Sequence, residues 1–308
     1  MEKVSILHLL TAAKNASPFD VNMAFDAGFD KIMPYTQVEL KEVGALVQDA
    51  IFSRSPSGVK REGIFIGGRD IDVAMDMLEA AERAMVPPFA VSVFADPSGA
   101  FTTAAAMLAK VEQQLVKQFG MPPAEALRGL KVVIFGATGP VAGCAAVIAA
   151  RCGAIVELVA HRSVADVQAR AATYNERYGV EIGYTDGTTE ALKQNILQEA
   201  DVVLCAAAAG VQVISLAHMA GSSALKIVAD VNAVPPAGAE GVEVTAEGIK
   251  IEGTHAFGIG ALAIGRVKYE TQHNLLKQML SSEKPVYLDF MAAFTAARQI
   301  TGVLNITE

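Results

Sequence analysis

The stretch Lys131-Val-Val-Ile-Phe-Gly-Ala-Thr-Gly-Pro-Val-Ala-Gly143 joins an apolar run to three glycines and an alanine-rich segment. This order predicts a buried strand, a tight turn and the beginning of a helix. A helix N-terminus presents free N–H groups and the positive end of the helix dipole, which favour an anion. Glycines allow close approach of the backbone to a pyrophosphate. Because the spacing is G-x-x-G-x-x-x-G instead of G-x-G-x-x-G, the turn predicts a dinucleotide site only together with its context.

The composition narrows the class of protein. A length of 308 residues favours about two domains. Hydrophobic residues make up 52% of the chain and aromatic residues only 6%, so small aliphatic side chains supply the core. Such a composition suits an α/β protein whose parallel strands are buried on both faces. The net charge of −8 and the absence of a Lys/Arg block argue against a nucleic-acid partner.

Two uncharged stretches, 132–150 and 202–225, are long enough to cross a bilayer. Both contain glycine or polar residues and match strand–turn–helix patterns, so we expect no membrane span. The first residues lack the features of a signal peptide. The three cysteines are an odd number without a C-x-x-C pair, which predicts buried thiols, no metal site and a cytoplasmic protein.

Strand and helix patterns alternate along the chain. In the first 120 residues, strands are predicted over 4–10, 31–35, 61–68 and 87–94, and helices over 18–27, 38–51, 70–85 and 102–119. After a break at Gly120-Met-Pro-Pro123, strands are predicted over 132–135, 155–160, 180–184, 202–206, 226–230 and 249–251, and late helices over 266–281 and 287–299.

These patterns predict an α/β fold with two domains. The first, residues 1–120 completed by a C-terminal helix within 285–308, is expected to bind substrate on a mostly parallel sheet. The second, residues 121–284, is expected to be a Rossmann-like, doubly wound parallel-sheet domain that binds NAD(P). We expect a cleft between the two.

The residues after the strand at 155–160 indicate whether the site favours NAD or NADP. A NAD-selective site usually has Asp or Glu at this strand end, where it binds the ribose 2′-hydroxyl. This chain has His161, Arg162 and Ser163 instead, and Glu157 lies within the strand. A guanidinium and a hydroxyl suit a 2′-phosphate, so NADP is favoured while NAD remains possible. A solvated arginine at a strand end is the simpler alternative.

Two later strand ends complete the predicted cofactor site. Ala207 and Ala208 are small enough for a cofactor to lie over them, although strand–helix packing explains them equally well. Asn232 would position the nicotinamide, whereas turn formation accounts for both Asp230 and Asn232. The predicted cofactor-binding residues are Gly136, Ala137, Thr138, Gly139, Pro140, Val141, His161, Arg162, Ser163, Ala207, Ala208, Asp230 and Asn232.

Polar residues also follow the strands of the first domain. Asp20 and Asp96 are either helix caps or buried carboxylates that accept N–H bonds from an aminopyrimidine ring such as a pterin. Lys268, after a glycine-rich segment, is expected to open a helix, where a cation opposes the dipole. It would steady or tune a substrate there, or be a solvated surface residue. The predicted substrate-binding residues are Asp20, Asp96, Ser98, Gly99, Thr102, Thr103, Phe257 and Gly258.

Ordered blocks of sequence extend over nearly the whole chain. They are Ser17-Pro-Phe-Asp20, Val43-Gly-Ala with Asp49-x-Ile51-x-x-Arg54, Ile66-Gly67-Gly68-x-Asp70, Pro88-Phe89-x-Val91-Ser92, Thr102-Thr103-Ala-Ala-Ala106, Gly136-Ala-Thr-Gly-Pro-Val141, Ala229-Asp230-x-Asn232-Ala-x-Pro-Pro236 and Ala256-Phe257-Gly258. In these blocks the chain resembles the bacterial NAD(P)-dependent methylene-tetrahydromethanopterin dehydrogenases of one-carbon metabolism.

The resemblance implies that a hydride passes from the methylene carbon of methylene-tetrahydromethanopterin to C4 of the nicotinamide, leaving the methenyl cation. It also implies a homo-oligomer and a catalytic cleft lysine, which corresponds to Lys268. The chain departs from NADP-specific members in having Arg162-Ser163 in place of an Arg-Lys pair. It also has Asp96-Pro-Ser-Gly-Ala-Phe-Thr-Thr103 where two further asparagines are typical.

Three alternative functions remain open from the sequence. The first is a methylene-tetrahydrofolate dehydrogenase. The second is a shikimate-dehydrogenase-like NADP oxidoreductase, which would need a Lys–Asp pair in the first domain, where Lys31, Lys41 and Lys60 lack convincing Asp partners at strand ends. The third is a non-catalytic NADP-binding sensor.

Overall fold

A computed structural model describes residues 4–304, apart from the side chain of Ala124. The described residues fall into two compact units. Unit 1 contains residues 4–102 and 269–296, and unit 2 contains residues 103–268 and 297–304. Strands and helices alternate through both units, as the sequence patterns predict.

The described part of the chain contains twelve strands. They are β1 (Ile6–Leu10), β2 (Lys31–Tyr35), β3 (Glu62–Ile66), β4 (Ser92–Ala95), β5 (Lys131–Phe135), β6 (Ile155–Ala160), β7 (Ile182–Asp186), β8 (Val202–Cys205), β9 (Ile227–Asp230), β10 (Glu247–Lys250), β11 (Phe257–Ile259) and β12 (Tyr287–Leu288).

The same residues contain eleven α-helices, together with short 3₁₀ turns at Pro97–Gly99 and Pro123–Glu125. The α-helices are α1 (Pro18–Asp26), α2 (Leu40–Phe52), α3 (Pro56–Val59), α4 (Ile71–Arg83), α5 (Ala100–Phe119), α6 (Pro140–Arg151), α7 (Val164–Tyr178), α8 (Glu190–Glu199), α9 (Leu216–Met219), α10 (Ala261–Ser281) and α11 (Phe290–Ile300).

Unit 1 contains a five-stranded parallel sheet in the order β12-β4-β3-β1-β2. Its central strands β3 and β4 are buried at every residue. The predicted strand over 87–94 begins only at Ser92, because Pro87 and Pro88 have no N–H to donate to a sheet. Strand β12 was not predicted, since two residues carry no readable periodicity.

Unit 2 contains a seven-stranded sheet in the order β10-β11-β9-β8-β5-β6-β7, in which only β10 is antiparallel. The six parallel strands have the 3-2-1-4-5-6 order of dinucleotide-binding Rossmann folds. This order confirms the predicted α/β fold class. The central strands β8 and β9 are buried throughout, as expected for a sheet covered on both faces.

The divisions between the units differ from the expected boundaries at residues 120 and 284. They fall inside helices α5, α10 and α11, because each helix packs with different partners at its two ends. Within unit 2, Glu112 of α5 pairs with Arg298 at 2.8 Å. Within unit 1, Gln272 of α10 donates a hydrogen bond to Asp20 at 2.9 Å. Helix periodicity marks where a helix ends and carries no information about such partners.

None of the helices among residues 4–304 has both the length and the apolar character needed to traverse a lipid bilayer. The uncharged stretch 132–150 forms β5, the glycine turn and α6. The stretch 202–225 contains β8 and α9. The stretch 132–150 is largely buried in unit 2. The stretch 202–225 is buried along β8 but has several exposed residues after it, so burial explains the low charge of only part of that stretch.

Candidate functional site

The glycine turn after β5 is determined by a close approach between two strand ends. Gly136 has φ +84°, and a Cβ there would lie 2.4 Å from the carbonyl oxygen of Ala206 and 2.6 Å from the nitrogen of Ala207. Such separations exclude every residue except glycine. The turn can therefore fold against the end of the adjacent strand β8 only because position 136 lacks a side chain.

Helix α6 starts directly from this turn, with Gly139 as its N-cap and Pro140 as its first residue. The first helical bond runs from Gly143 N–H to the Gly139 carbonyl at 3.1 Å, so the N–H groups of Val141 and Ala142 precede the ladder. Proline at this position removes an N–H that would have no helical partner. The start of α6 thus has the donors and the dipole that an anion site needs.

A cavity of about 620 Å³ lies at the carboxyl ends of the central strands of unit 2. It contains ten of the predicted cofactor residues, which are Gly136, Ala137, Thr138, Gly139, Pro140, His161, Arg162, Ser163, Ala207 and Ala208. The other described residues around it are Val159, Asp166, Val167, Ala206, Val211 and Val213. Asp166 was not among the predicted cofactor residues, although its place in the first turn of the helix after β6 is a signal that identifies it.

Val141, Asp230 and Asn232 are absent from the described lining of this cavity. Asp230 accepts hydrogen bonds from the N–H groups of Asn232 at 2.9 Å and Ala239 at 3.0 Å. Burial raises the pKa of its carboxyl group, and these N–H bonds partly offset that rise. These contacts match the turn-forming interpretation of Asp230.

Asn232 has a similar structural role. Its side-chain oxygen accepts from the N–H groups of Gly210 at 3.1 Å and Val234 at 3.0 Å, and its amide donates to Pro236 at 2.9 Å. The side chain therefore fixes the loops after β8 and β9. A contact between Asn232 and a nicotinamide ring stays a prediction.

The three predicted residues after β6 differ in their roles. His161 and Arg162 are exposed, whereas the Ser163 hydroxyl accepts a hydrogen bond from Asp166 N–H at 3.2 Å and caps α7. Ser163 therefore has a structural role that the sequence analysis did not assign. Arg162 remains the cationic side chain at this edge of the cavity.

In unit 1, Asp20 is a buried carboxylate near the ends of two strands. It is 4% exposed and accepts a hydrogen bond from Gln272 Nε2 at 2.9 Å. A Cβ at Gly67 would lie 3.9 Å from Asp20 Oδ2 and 3.7 Å from Thr11 Cβ, which places this carboxylate near the carboxyl ends of β1 and β3. Ser17 caps helix α1, so the capping interpretation does not account for the Asp20 side chain.

Asp96, by contrast, is held at the start of helix α5. It is fully buried and accepts hydrogen bonds from Phe101 N–H at 2.9 Å, Thr102 N–H at 3.1 Å and the Thr102 hydroxyl at 2.6 Å. These bonds support the capping interpretation for Asp96, and they use the N–H and hydroxyl groups of Thr102 as donors to it. Gly99, with φ +67°, forms the turn between them. Thr103 is half-buried on α5, in unit 2.

Ser98 has a strained backbone conformation and lies at the edge of the unit 1 sheet where β3 and β4 end. Its φ of 53° lies in the left-handed region, which is uncommon for a serine. The Ser98 hydroxyl donates to the Gly68 carbonyl at 2.7 Å and so ties the loop after β4 to the loop after β3. Beside this contact lies a cavity of about 220 Å³, lined by Ala12, Ala13, Gly67, Gly68, Arg69, Asp70 and Val73.

The glycine-rich segment before Lys268 forms strand β11 and the turn into helix α10. Phe257 and Gly258 belong to β11, and the Phe257 ring packs edge-on against Phe119. A Cβ at Gly260 would lie 2.1 Å from the Glu243 carbonyl oxygen, so that glycine serves chain packing. The short strand was missed because glycine gives it little β-propensity.

The expectation that Lys268 opens a helix is wrong. Helix α10 begins at Ala261, so Lys268 lies about two turns inside it, away from the positive end of the dipole. The helix starts early because Gly260 separates the end of β11 at Ile259 from the helix-favouring residues that begin at Ala261. Lys268 is half-buried and lies in unit 2.

Comparisons with known proteins agree with this geometry. A family model described as methylene-tetrahydromethanopterin dehydrogenase, N-terminal, matches residues 18–98. The chain is 46% identical to a protein of Methylorubrum extorquens named NAD(P)-dependent methylenetetrahydromethanopterin dehydrogenase, over 97% of this chain and 99% of the relative. It is 33% identical to the bifunctional protein MdtA of the same organism, over 88% of this chain and 90% of that relative.

Among solved structures, the chain is similar to shikimate 5-dehydrogenase from Listeria monocytogenes, with a TM-score of 0.52 and 15% identity over 92% of this chain and 93% of that chain. It is also similar to 5-ketofructose reductase of a Gluconobacter species, with a TM-score of 0.50 and 15% identity over 97% and 99% of the two chains. At this identity the likeness concerns the fold alone.

Replacing Gly136 with alanine tests the role of the close approach. We expect Gly136→Ala to lower the free energy of unfolding by about 1–3 kcal/mol, because the methyl group collides with backbone and φ is positive. Dinucleotide binding, followed by NADPH fluorescence, should be lost. Gly44→Ala is the control: nothing lies within 4 Å of its Cβ, and alanine in helix α2 should stabilise by up to about 1 kcal/mol. Equal behaviour of the two variants would contradict the argument.

Proposed function

We propose that this chain, which belongs to the family of NAD(P)-dependent methylenetetrahydromethanopterin dehydrogenases, oxidises methylene-tetrahydromethanopterin with NAD(P)+ to the methenyl form. The observation that carries the proposal is the cavity around the glycine turn of unit 2, in a chain 46% identical to such an enzyme over 97% of its length. One-carbon metabolism, in the direction of formaldehyde oxidation, is the corresponding context.

The cavity has the features that a dinucleotide requires. Gly136 leaves room for close backbone approach, and the N–H groups at the start of α6 would bind the pyrophosphate. Arg162, at the end of β6, would bind a 2′-phosphate where NADP is used. Ala207 and Ala208 leave space beyond β8 for the nicotinamide ribose. When bound, NAD(P)+ supplies the hydride acceptor, which is C4 of its nicotinamide ring.

The reaction needs no proton transfer, so the task of the protein is to position and shield the reacting groups. The C–H bond at the methylene carbon breaks, and its electron pair and hydrogen leave together as hydride. The methenyl cation remains, with its charge shared by the two adjacent nitrogens. Apolar side chains such as Val211 and Val213 line the dinucleotide cavity and would help to exclude water from it.

For the pterin we propose Asp20 as the main recognition group. A carboxylate accepts two N–H bonds from the aminopyrimidine edge of a pterin. Gln272 would hold the carboxylate in place through its 2.9 Å bond. The loops that Ser98 joins after β3 and β4 would border the ring, whereas Asp96 would act indirectly by fixing the start of α5.

Two broader properties remain proposals. We infer a cytoplasmic location from the cysteine pattern, and no disulfide joins Cys144, Cys152 or Cys205 in the described part of the chain. We infer a homo-oligomer from the family resemblance and the high apolar content. A small-molecule pterin is the proposed partner.

The function is tested by an assay of two pterins against two dinucleotides. We expect hydride transfer from methylene-tetrahydromethanopterin to NADP+ and NAD+, with methylene-tetrahydrofolate a poorer donor. The measurement is the rise in absorbance of NAD(P)H. Turnover of the folate alone would support the first alternative function, and turnover of shikimate the second. If the protein bound a dinucleotide but turned over neither pterin nor shikimate, the result would support the third alternative, a non-catalytic NADP-binding sensor.

The role of Asp20 is tested by Asp20→Asn, which keeps the shape and removes the charge. We expect kcat/KM for the pterin to fall at least about tenfold, because a charge-assisted pair of hydrogen bonds is lost. The melting temperature should change little. Asp96→Asn is the matched buried control, and it should mainly lower the melting temperature. If both variants lost stability and kept kcat/KM, Asp20 would be a structural residue.

The role of Lys268 is tested by Lys268→Ala. We propose that its ammonium group donates a hydrogen bond that orients the substrate, so kcat should fall about tenfold or more. The Kd of NADPH should stay within about twofold, since no dinucleotide contact is assigned to it. Lys277→Ala removes an exposed cation from the same helix and serves as control. Wild-type turnover of the Lys268 variant would make it a surface residue.

A further inference from the structure

The edge of the dinucleotide cavity that follows β6 carries both signs of charge. Arg162 and Asp166 both line this cavity, and both residues are exposed. Among the ion pairs of the described residues 4–304, none joins the guanidinium of Arg162 to the carboxylate of Asp166. The guanidinium therefore does not neutralise the carboxylate before a ligand arrives.

Helix capping does not use the Asp166 side chain. In helix α2 the carboxylate of Glu42 returns to the N-cap and accepts from Glu39 N–H at 2.8 Å. In α7 the Ser163 hydroxyl accepts from Asp166 N–H, and among the described hydrogen bonds the reciprocal contact from the Asp166 carboxylate is missing. Only the backbone of Asp166 takes part in the cap, so its carboxylate is available to a ligand.

The position of Asp166 in the fold indicates which part of a bound dinucleotide it would contact. In a sheet with the strand order of unit 2, a bound dinucleotide would have its pyrophosphate at the turn after β5 and its adenosine ribose near the end of β6. Asp166 borders the cavity at that second place. An unmodified ribose presents a 2′-hydroxyl that donates to a carboxylate, whereas a 2′-phosphate is an anion that a carboxylate repels.

We propose that Asp166 sets the dinucleotide preference by opposing Arg162: it accepts a hydrogen bond from the 2′-hydroxyl of NAD and repels the 2′-phosphate of NADP. Arg162 alone would select NADP, and Asp166 alone would select NAD. The pair lets one cavity accept both dinucleotides. This inference rests on the proposed dinucleotide site and identifies the residue that controls its selectivity.

The test measures the Kd of NADH and NADPH directly, by fluorescence titration of the full chain without a pterin. Asp166→Asn should tighten NADPH binding and weaken NADH binding, and so raise the NADPH preference by about five- to tenfold. Asp166→Glu retains the charge and should keep the wild-type ratio within about twofold. Arg162→Ala should move the ratio in the opposite direction. High salt should shrink the NADPH effect, because exposed charges are screened.

Glu176→Gln removes a carboxylate from the other end of α7 and should leave both Kd values unchanged. An unchanged NADPH-to-NADH ratio in Asp166→Asn, or an equal loss of both dinucleotides, would overturn the inference. Because binding is measured without pterin, that failure would stand apart from the enzymatic assay. A shifted ratio in a chain that turns over no pterin would support Asp166 and count against the proposed reaction.

Discussion

The close approach of Gly136 to Ala206 and Ala207 is the constraint on which the proposed dinucleotide site depends. Strands β5 and β8 are neighbours in the sheet, and the turn after one folds against the end of the other with 2.4 Å between the missing Cβ and a carbonyl oxygen. This contact determines where α6 begins. It therefore directs the first N–H groups of that helix, and the positive end of its dipole, toward one edge of the sheet.

Three buried aspartates lie near strand ends, and their hydrogen-bond donors give them different roles. Asp96 and Asp230 are bound by backbone N–H groups, which fix the start of a helix and the shape of a loop. Asp20 accepts a hydrogen bond from the Gln272 side chain, and helix α1 is capped by Ser17. The role of a buried carboxylate therefore depends on the groups that the fold brings against it.

The comparison with solved structures informs on the fold, whereas the comparison of sequences identifies the family. The similarity to shikimate 5-dehydrogenase, at 15% identity, shows that this α/β framework is used in other reactions. Family membership rests instead on sequence identity that extends over nearly the whole chain. This chain also has a cation, Arg162, and a carboxylate, Asp166, at the edge of the cavity that follows β6. The proposed selectivity of the cavity depends on this pair of opposite charges.

The sequence by itself determined the fold class, the glycine turn and most of the cavity. These depend on local signals: apolar runs, glycines and strand ends that are adjacent because parallel strands place their carboxyl ends together. The short strands β11 and β12, the beginning of α10 and the partners of Asp20, Asp96 and Asn232 were decided only by the tertiary structure. Each depends on contacts between residues distant in the chain, such as the 2.9 Å bond from Gln272 to Asp20. A linear pattern can identify a carboxylate near a strand end, but its function depends on which group the fold brings against it.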